Sequence, residues 1–186
     1  DEENPFIVRD YNKCILCERC TRICAEVQGS NAIEYAHRGF STKVTVPYER
    51  GLKESDCVFC GQCVGACPVG ALTERTRVGQ GREWELQKVR TVCSYCGVGC
   101  TLFLNVKDQK IVRVTSERGT GANSGNLCVK GKFGFDYVHS PDRLIEPLIR
   151  EGIKLRTATW DEALNAAAQG LKKVREHYGP DAIGVL

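Results

Sequence analysis

Cys14-Ile15-Leu16-Cys17-Glu18-Arg19-Cys20-Thr21-Arg22-Ile23-Cys24 and Cys57-Val58-Phe59-Cys60-Gly61-Gln62-Cys63-Val64-Gly65-Ala66-Cys67-Pro68 share one spacing, C-x2-C-x2-C-x3-C. They are an internal repeat. A third group, Cys93, Cys96 and Cys100, follows as C-x2-C-x3-C, and Cys128 comes after 27 intervening residues. Its different spacing marks a different module. Four cysteines within eleven residues, twice over, cannot pair locally as disulfides without severe strain. Zinc sites use separated C-x2-C pairs, often with histidine substituting. Here thiols recur at i, i+3 and i+6, and the only histidines are His37, His139 and His177.

Thiolates at every third residue have a mechanical use. Such a loop wraps a 4Fe–4S cube, placing three sulfurs on three irons while the intervening amides donate to the sulfides. The fourth cysteine, after x3, enters a following helix and points away from its own loop. In bacterial two-cluster ferredoxins that cysteine ligates the other cluster. The expected sets are therefore Cys14, Cys17, Cys20 and Cys67 for one cube, and Cys57, Cys60, Cys63 and Cys24 for the second. Such an exchange couples metal binding to folding. Cys67 is followed by Pro68 whereas Cys24 is followed by Ala25, so the two repeats leave their last cysteine differently. Gly61, Gly65 and Gly70 have two readings, as sites where backbone approaches a cluster closely or as plain turn residues. With Cys93, Cys96, Cys100 and Cys128 on a third cube, all 12 cysteines are assigned.

The bulk properties agree with a globular electron carrier. The chain has 186 residues, 26% of them charged and 42% hydrophobic, an ordinary balance. No apolar run approaches the roughly 18 residues of a membrane span. The formal charge of +3 counts every cysteine as neutral. Each cubane with four thiolates carries about −2, so three of them take the total to about −3. Nucleic acid is not an expected partner. Both ends look cut: Asp1 is no initiator, and Ala182-Ile183-Gly184-Val185-Leu186 reads as a buried strand whose neighbours lie elsewhere.

Between the repeats, Ala32–Ala36 and Thr42–Val46 alternate around Gly39 and predict a short hairpin. Residues 75–90 are polar and interrupted by Gly79 and Gly81, as in a connector. Thr101–Lys107 and Lys110–Thr115 predict a second hairpin around Asp108-Gln109. A helix is expected from about Trp160 to Tyr178. Thr159 would be its N-cap with Glu162 completing a capping box, and Gly179-Pro180 its stop. Leu164, Ala167, Ala168, Leu171, Val174 and Tyr178 form its apolar face, and Lys172, Lys173 and Arg175 its solvated one. Helix followed by strand is how an α/β domain begins. His177 suits the helix C-terminus as a cation.

Cys93-Ser94-Tyr95-Cys96-Gly97-Val98-Gly99-Cys100 followed by Cys128-Val129-Lys130-Gly131 resembles the first domain of molybdenum or tungsten bis-pterin oxidoreductases. The order of double-ferredoxin module, connector and this motif is similar to the catalytic subunit of cytoplasmic, nicotinamide-linked formate dehydrogenases. Gly79-Gln80-Gly81-Arg82-Glu83-Trp84 and Lys130-Gly131-Lys132-Phe133-Gly134-Phe135-Asp136-Tyr137 strengthen the resemblance, which covers nearly the whole chain. It implies an α+β chain in three parts. Residues 1–80 would be a bacterial two-cluster ferredoxin-like module, 81–145 a small 4Fe–4S domain, and 146–186 the start of an α/β pterin-binding domain.

The implied cofactors are three 4Fe–4S clusters, with a molybdenum or tungsten bis-pterin guanine dinucleotide in the full chain. The implied reaction is formate to carbon dioxide, in the cytoplasm. In that family a lysine two residues past the fourth cysteine lies between cluster and pterin, and Lys130 holds that position on a helix expected to run to about Val138. The reacting residues would lie beyond Leu186, so none is expected here. Gly79-Gln80-Gly81 and Gly119-Thr120-Gly121 do not extend to a dinucleotide fingerprint. Nicotinamide chemistry would therefore belong to flavin- and iron–sulfur-containing NAD(P)-reducing subunits, or a hydrogenase or ferredoxin would be the partner. Two other readings stay open: a non-catalytic electron-transfer subunit of a respiratory or hydrogenase complex, and another pterin enzyme such as a nitrate reductase.

Overall fold

The structure, a computed structural model, describes residues 4–185. Residues up to His139 form one compact unit and those from Ser140 onward form a second.

In the first unit, β1 (Ile7–Arg9) pairs antiparallel with β4 (Leu72–Glu74), so the chain closes on itself around both cysteine repeats. Asn4 anchors the start: its side chain donates to the Ile7 carbonyl at 2.9 Å and accepts from the Ile7 amide at 2.7 Å. The expected first hairpin is β2 (Glu34–Ala36) on β3 (Lys43–Thr45). Ile7, Ile33, Val44, Val46, Leu52, Val64 and Leu72 close the core beneath the cysteines.

The two cysteine loops have the same backbone path. Leu16 and Phe59 take left-handed φ of 52° and 50°, and Glu18 and Gly61 take 64° and 70°. A left-handed residue on each side of the middle cysteine turns successive amides toward one side, a concavity of the kind that receives anions and iron–sulfur clusters. Each loop then enters a short helix, α1 (Arg19–Arg22) or α2 (Gln62–Ala66). After α1 the helix widens to π geometry over Ile23–Gln28, and this stretch carries Cys24. Cys67 differs from the sequence expectation. It is not inside a helix but is the extended residue that ends α2 at ψ 116°, because Pro68 disfavours helical geometry in the residue before it.

Residues 87–90 are not connector, as the composition suggested. They belong to β5 (Gln87–Val92), the edge of a three-stranded antiparallel sheet with β6 (Thr101–Lys107) and β7 (Lys110–Thr115). Polar Gln87, Lys88 and Arg90 disguise an exposed edge strand as a linker. The expected β6–β7 hairpin turns at Asp108 and Gln109, both at positive φ. Leu102, Val114, Leu127 and Phe135 form the core under this sheet.

The loop from β7 to the last cysteine is built by side chains. Asn123 mimics a strand neighbour, accepting from the Thr101 amide at 2.9 Å and donating to its carbonyl at 3.2 Å. Gly125 sits at φ +82°, and a β-carbon there would meet the Glu117 carbonyl oxygen at 2.5 Å. Gly125→Ala should cost about 1–3 kcal/mol, at roughly 2–4 °C of Tm per kcal/mol in a domain of this size. A thermal melt unchanged within about 1 °C would mean that the loop does not need this geometry.

α3 (Val129–Phe133) follows Cys128. It is shorter than the helix expected to reach about Val138. Gly134 breaks it at ψ 35°, where the Tyr95 hydroxyl donates to the Gly134 carbonyl, and a separate 3-10 turn covers Asp136–His139.

In the second unit, β8 (Leu148–Glu151) and β9 (Lys154–Thr157) form an antiparallel hairpin. α4 (Trp160–Tyr178) has the expected bounds, with the Thr159 side chain accepting from the Glu162 amide and Gly179 ending it at φ 84°. Arg156 joins hairpin to helix, pairing with Glu151 at 2.5 Å and with Glu162. The expected terminal strand does not form. Pro180–Ala182 is a 3-10 turn, Ile183–Val185 are irregular, and Leu186 lies outside the described residues. No strand among the described residues pairs with this segment, and an apolar run without a paired neighbour has no ladder to join. Among the described residues no helix is long and apolar enough to cross a membrane.

Candidate metal centres

All eight cysteines of the two repeats line one cavity, walled by Ile7, Ile33, Val44, Leu52 and Leu72. All 12 cysteines are free thiols. Among the described residues, no three His, Cys, Asp or Glu side chains close on a point at single-ion distance. The eight thiols of the repeats surround one largely apolar cavity.

Crowding shows in their acidity. Burial pushes the Cys57 and Cys60 thiols up, and the charge of an ionised Cys24 adds to both. Amides oppose this: the Phe59 N–H donates to the Cys57 sulfur and the Gln62 N–H to the Cys60 sulfur. Both bonds reach two residues forward, as the repeated left-handed turns require. Burial pushes Cys20 up as well, with the charges of Cys14 and Cys17 adding. Cys63 is driven well up by burial and then by Cys60, Cys57, Cys20 and Cys24. The Cys24 charge thus reaches all three thiols of the second repeat, and the Cys20 charge reaches Cys63 as well as the thiols of its own loop. Soft thiolates in an apolar pocket suit iron–sulfur clusters, and loading them would release protons.

The third group comes together across the sheet. The Cys93 amide donates to the Cys100 carbonyl at 2.8 Å, closing the loop between β5 and β6. Burial and the charges of Cys93, Cys96 and Cys128 push the Cys100 thiol up, which puts all four thiols in one neighbourhood. Cys128 caps α3, and Gly131 keeps that helix close: a β-carbon there would lie 3.6 Å from Cys93 Sγ.

Lys130 is exposed and lines a second cavity with Cys93, Ser94, Tyr95 and Tyr137. Its ammonium lies 5.9 Å from the centre of the Tyr95 ring. Tyr95 meets Tyr137 edge-on at 6.0 Å, and Ser94 Oγ lies 2.7 Å from the Tyr137 hydroxyl oxygen.

α3 also binds the two cysteine regions together, which sequence reasoning missed. Phe133 is buried in the core under the repeats and stacks on Phe6 at 4.8 Å. Lys132 is buried too, its Nζ 2.7 Å from Glu74 Oε1 and 2.7 Å from the Val114 carbonyl oxygen. Arg113 reaches the same Glu74 oxygen at 3.4 Å. Burial alone would raise Glu74, but Lys132 and Arg113 outweigh it and hold its carboxyl below the ordinary range. Burial pulls the Lys132 ammonium down, against the attraction of Glu74. Gly61 is the counterpart on the repeat side, since a β-carbon there would meet Lys132 Cγ at 2.8 Å and Phe133 Cζ at 3.2 Å. Gly61 therefore serves the approach of α3. A β-carbon on Gly65 would meet nothing within 4 Å, and on Gly70 only Thr73 at 3.8 Å. The only sequence signal was the alternation Lys130-Gly131-Lys132, which does not say which lysine is buried.

Residues 4–73 match the ferredoxin-like domain of NADH-quinone oxidoreductase subunit 3. Residues 86–140 match the molybdopterin oxidoreductase Fe4S4 domain, and 143–186 match the molybdopterin oxidoreductase family. The chain carries the iron–sulfur electron-transfer portion of a molybdopterin oxidoreductase architecture. It is 40% identical over 179 residues to the NADPH-Fe(3+) oxidoreductase subunit alpha of Geobacter sulfurreducens, covering 96% of this chain and 20% of that protein. It is 39% identical over 160 residues to an NADH-quinone oxidoreductase subunit of Rhizobium meliloti, 86% of this chain and 18% of that protein. A Staphylococcus aureus protein named only provisionally as a formate dehydrogenase is 32% identical over 220 residues, 98% of this chain and 22% of its own. The chain spans about a fifth of the length of these curated relatives.

Proposed function

We propose that this chain is the electron relay of a formate dehydrogenase catalytic subunit, working with NAD(P)-reducing flavin and iron–sulfur subunits in the cytoplasm. The gathering of eight thiols around one apolar cavity, with four more at a second place joined to it by α3, supports the relay in this reading, and the formate part rests on the resemblance of the cysteine motifs. Cys14, Cys17, Cys20 and Cys67 hold one 4Fe–4S cluster, Cys57, Cys60, Cys63 and Cys24 another, and Cys93, Cys96, Cys100 and Cys128 the third. When bound, the clusters supply one-electron carriers that pass charge between the pterin side and the partner subunits.

The chain's own residues do the rest. The cysteines anchor the clusters, the Phe59 and Gln62 amides favour the thiolate form of their sulfurs, and apolar walls keep water away. Lys130, at the rim of the third group, offers an exposed ammonium toward a pterin guanine dinucleotide holding molybdenum or tungsten. The formate and carbon dioxide chemistry belongs to residues outside this chain.

A second reading has its own support. The relatives at 40% and 39% identity are named for NADPH- and NADH-linked oxidoreductases, while the provisional formate dehydrogenases stand at 32%. The same relay would then serve a nicotinamide-linked complex without formate chemistry.

Metal analysis separates these. The reconstituted chain should hold about 12 irons and 12 acid-labile sulfides, three cubanes of four, with a broad visible band that bleaches with dithionite. Stoichiometric zinc without that band would remove the cluster assignment. The protein carrying the pterin site should contain molybdenum or tungsten and reduce its clusters on adding formate. Clusters that stay oxidised with formate but are reduced by NADPH or NADH would favour the second reading.

A further inference from the structure

We propose that the buried Lys132–Glu74 pair sets the reduction potential of the ferredoxin-type centre on the Cys57–Cys60–Cys63 loop. Both are positioning and tuning residues, neither a ligand. This inference rests on the cluster reading above, but not on the identity of the substrate.

Lys132 departs from ordinary lysine behaviour. Its side chain is 6% exposed and that of Glu74 4%, although charged side chains are almost never fully buried unless paired. Burying such a pair is weak evidence for stability, because desolvation offsets much of the attraction. An apolar pair would fill the same space without that penalty. What the ionic pair adds is a fixed charge pattern at a chosen place.

That place is the ligand loop. Gly61 lies between Cys60 and Cys63, and a β-carbon on it would lie 2.8 Å from Lys132 Cγ and 3.0 Å from its Cε. The lysine stem therefore runs along the loop, with Cys63 among the groups whose charge acts on its ammonium. The ammonium is held by two acceptors at 2.7 Å, Glu74 Oε1 and the Val114 carbonyl, so it cannot swing out to solvent. Glu74 is fixed in turn by β4, whose partner is β1, and by Arg113 at 3.4 Å. With water excluded, a unit charge acts across several ångströms with little screening.

The signs follow directly. A reduced cluster carries one more negative charge than an oxidised one. The Lys132 cation favours the reduced form and raises the potential, and the Glu74 carboxylate lowers it. Because the two charges sit 2.7 Å apart, the field at the cluster is their difference. Removing either charge unbalances it in a predictable direction.

The test is an EPR-monitored redox titration of the reconstituted chain. Lys132→Met should lower the midpoint potential of one ferredoxin-type cubane, so that its reduced-to-oxidised ratio at fixed potential falls about tenfold, a shift of about 59 mV for one electron. Glu74→Gln should move the same cubane the other way by a similar factor. The double variant should return near the parent, and the Cys93–Cys128 cubane should hold its potential in all three. A purely structural pair would disturb the cubane without opposite signs. Shifts of the same sign, or ratios within twofold of the parent, would overturn the proposal. If Lys132→Met prevents assembly of the cubane, Glu74→Gln and Lys132→Arg decide alone. Glu74→Gln must still raise the potential and Lys132→Arg must leave it near the parent. Absence of any cubane in the parent chain would instead sink the cluster reading itself.

Discussion

Replacing Cys24 with alanine should cost the chain one cubane, about four of its 12 irons, and that cubane should be the one on the Cys57–Cys60–Cys63 loop. Cys24 is only four residues past Cys20, so proximity in sequence would assign it to its own loop. Two observations favour the proposed exchange. Helical geometry carries the chain away from the loop over Ile23–Gln28, and the Cys24 charge acts on Cys57 and Cys60. Cys20 feels Cys14 and Cys17 of its own loop, although its charge reaches Cys63 as well. The π widening has a geometric role here: with more residues per turn, it re-aims Cys24 relative to α1.

Cys24→Ala should therefore spare the cubane of Cys14, Cys17 and Cys20, whose proposed fourth ligand is Cys67. Cys67→Ala should do the reverse. Iron and sulfide content, with the EPR signal of each reduced cubane, reads both variants. If Cys24→Ala removed the first cubane and left the second, ligation would be local and the exchange wrong. Because the exchange crosses the module, each variant should also melt well below the parent. With ligands exchanged between the repeats, metal binding and folding would be one equilibrium.

The cysteine regions were legible in the sequence because their chemistry is carried by spacing. A thiol at every third residue is a local rule, and no long-range contact is needed to read it. The hairpin at Asp108-Gln109 and helix α4 were legible for the same reason, since turn residues, alternation and a capping Thr159 are local signals. What failed to show depends on partners distant in the chain. β5 is an edge strand of polar residues that becomes a strand only by lying on β6. The pairing of β1 with β4 spans more than sixty positions, and its three-residue strands are too short to alternate visibly. α3 stops at Gly134 because of Tyr95, nearly forty residues earlier. Lys132 and Lys130 are both lysines of one five-residue helix, yet one is buried beneath the repeats and the other is exposed. The packing of Phe133 against Phe6 and the Lys132–Glu74 pair, both contacts distant in sequence, turn that face inward.

That difference gives Lys130 a separate prediction. Lys130→Met removes the charge while keeping much of the stem. The Cys93–Cys128 cubane should assemble, because no cysteine and no core residue is touched and Lys130 is exposed. Its potential should fall, since a cation nearby favours the reduced form. In the protein carrying the pterin site, formate-dependent reduction should drop about 10–100-fold, the range for losing a group that supports a metal site from outside its ligands. The two ferredoxin-type cubanes should keep their potentials, because Lys130 turns away from the Lys132 side of α3. Lys130→Arg is the informative control. It keeps the charge but replaces a compact ammonium with a planar fork of different reach. Recovery of the potential without recovery of turnover would assign Lys130 a directed contact to the pterin. Recovery of both would assign it a purely electrostatic role. If Lys130→Met leaves turnover and potential at parent values, Lys130 is a solvated helix residue. The formate reading then loses the one residue of this chain that it places against the pterin.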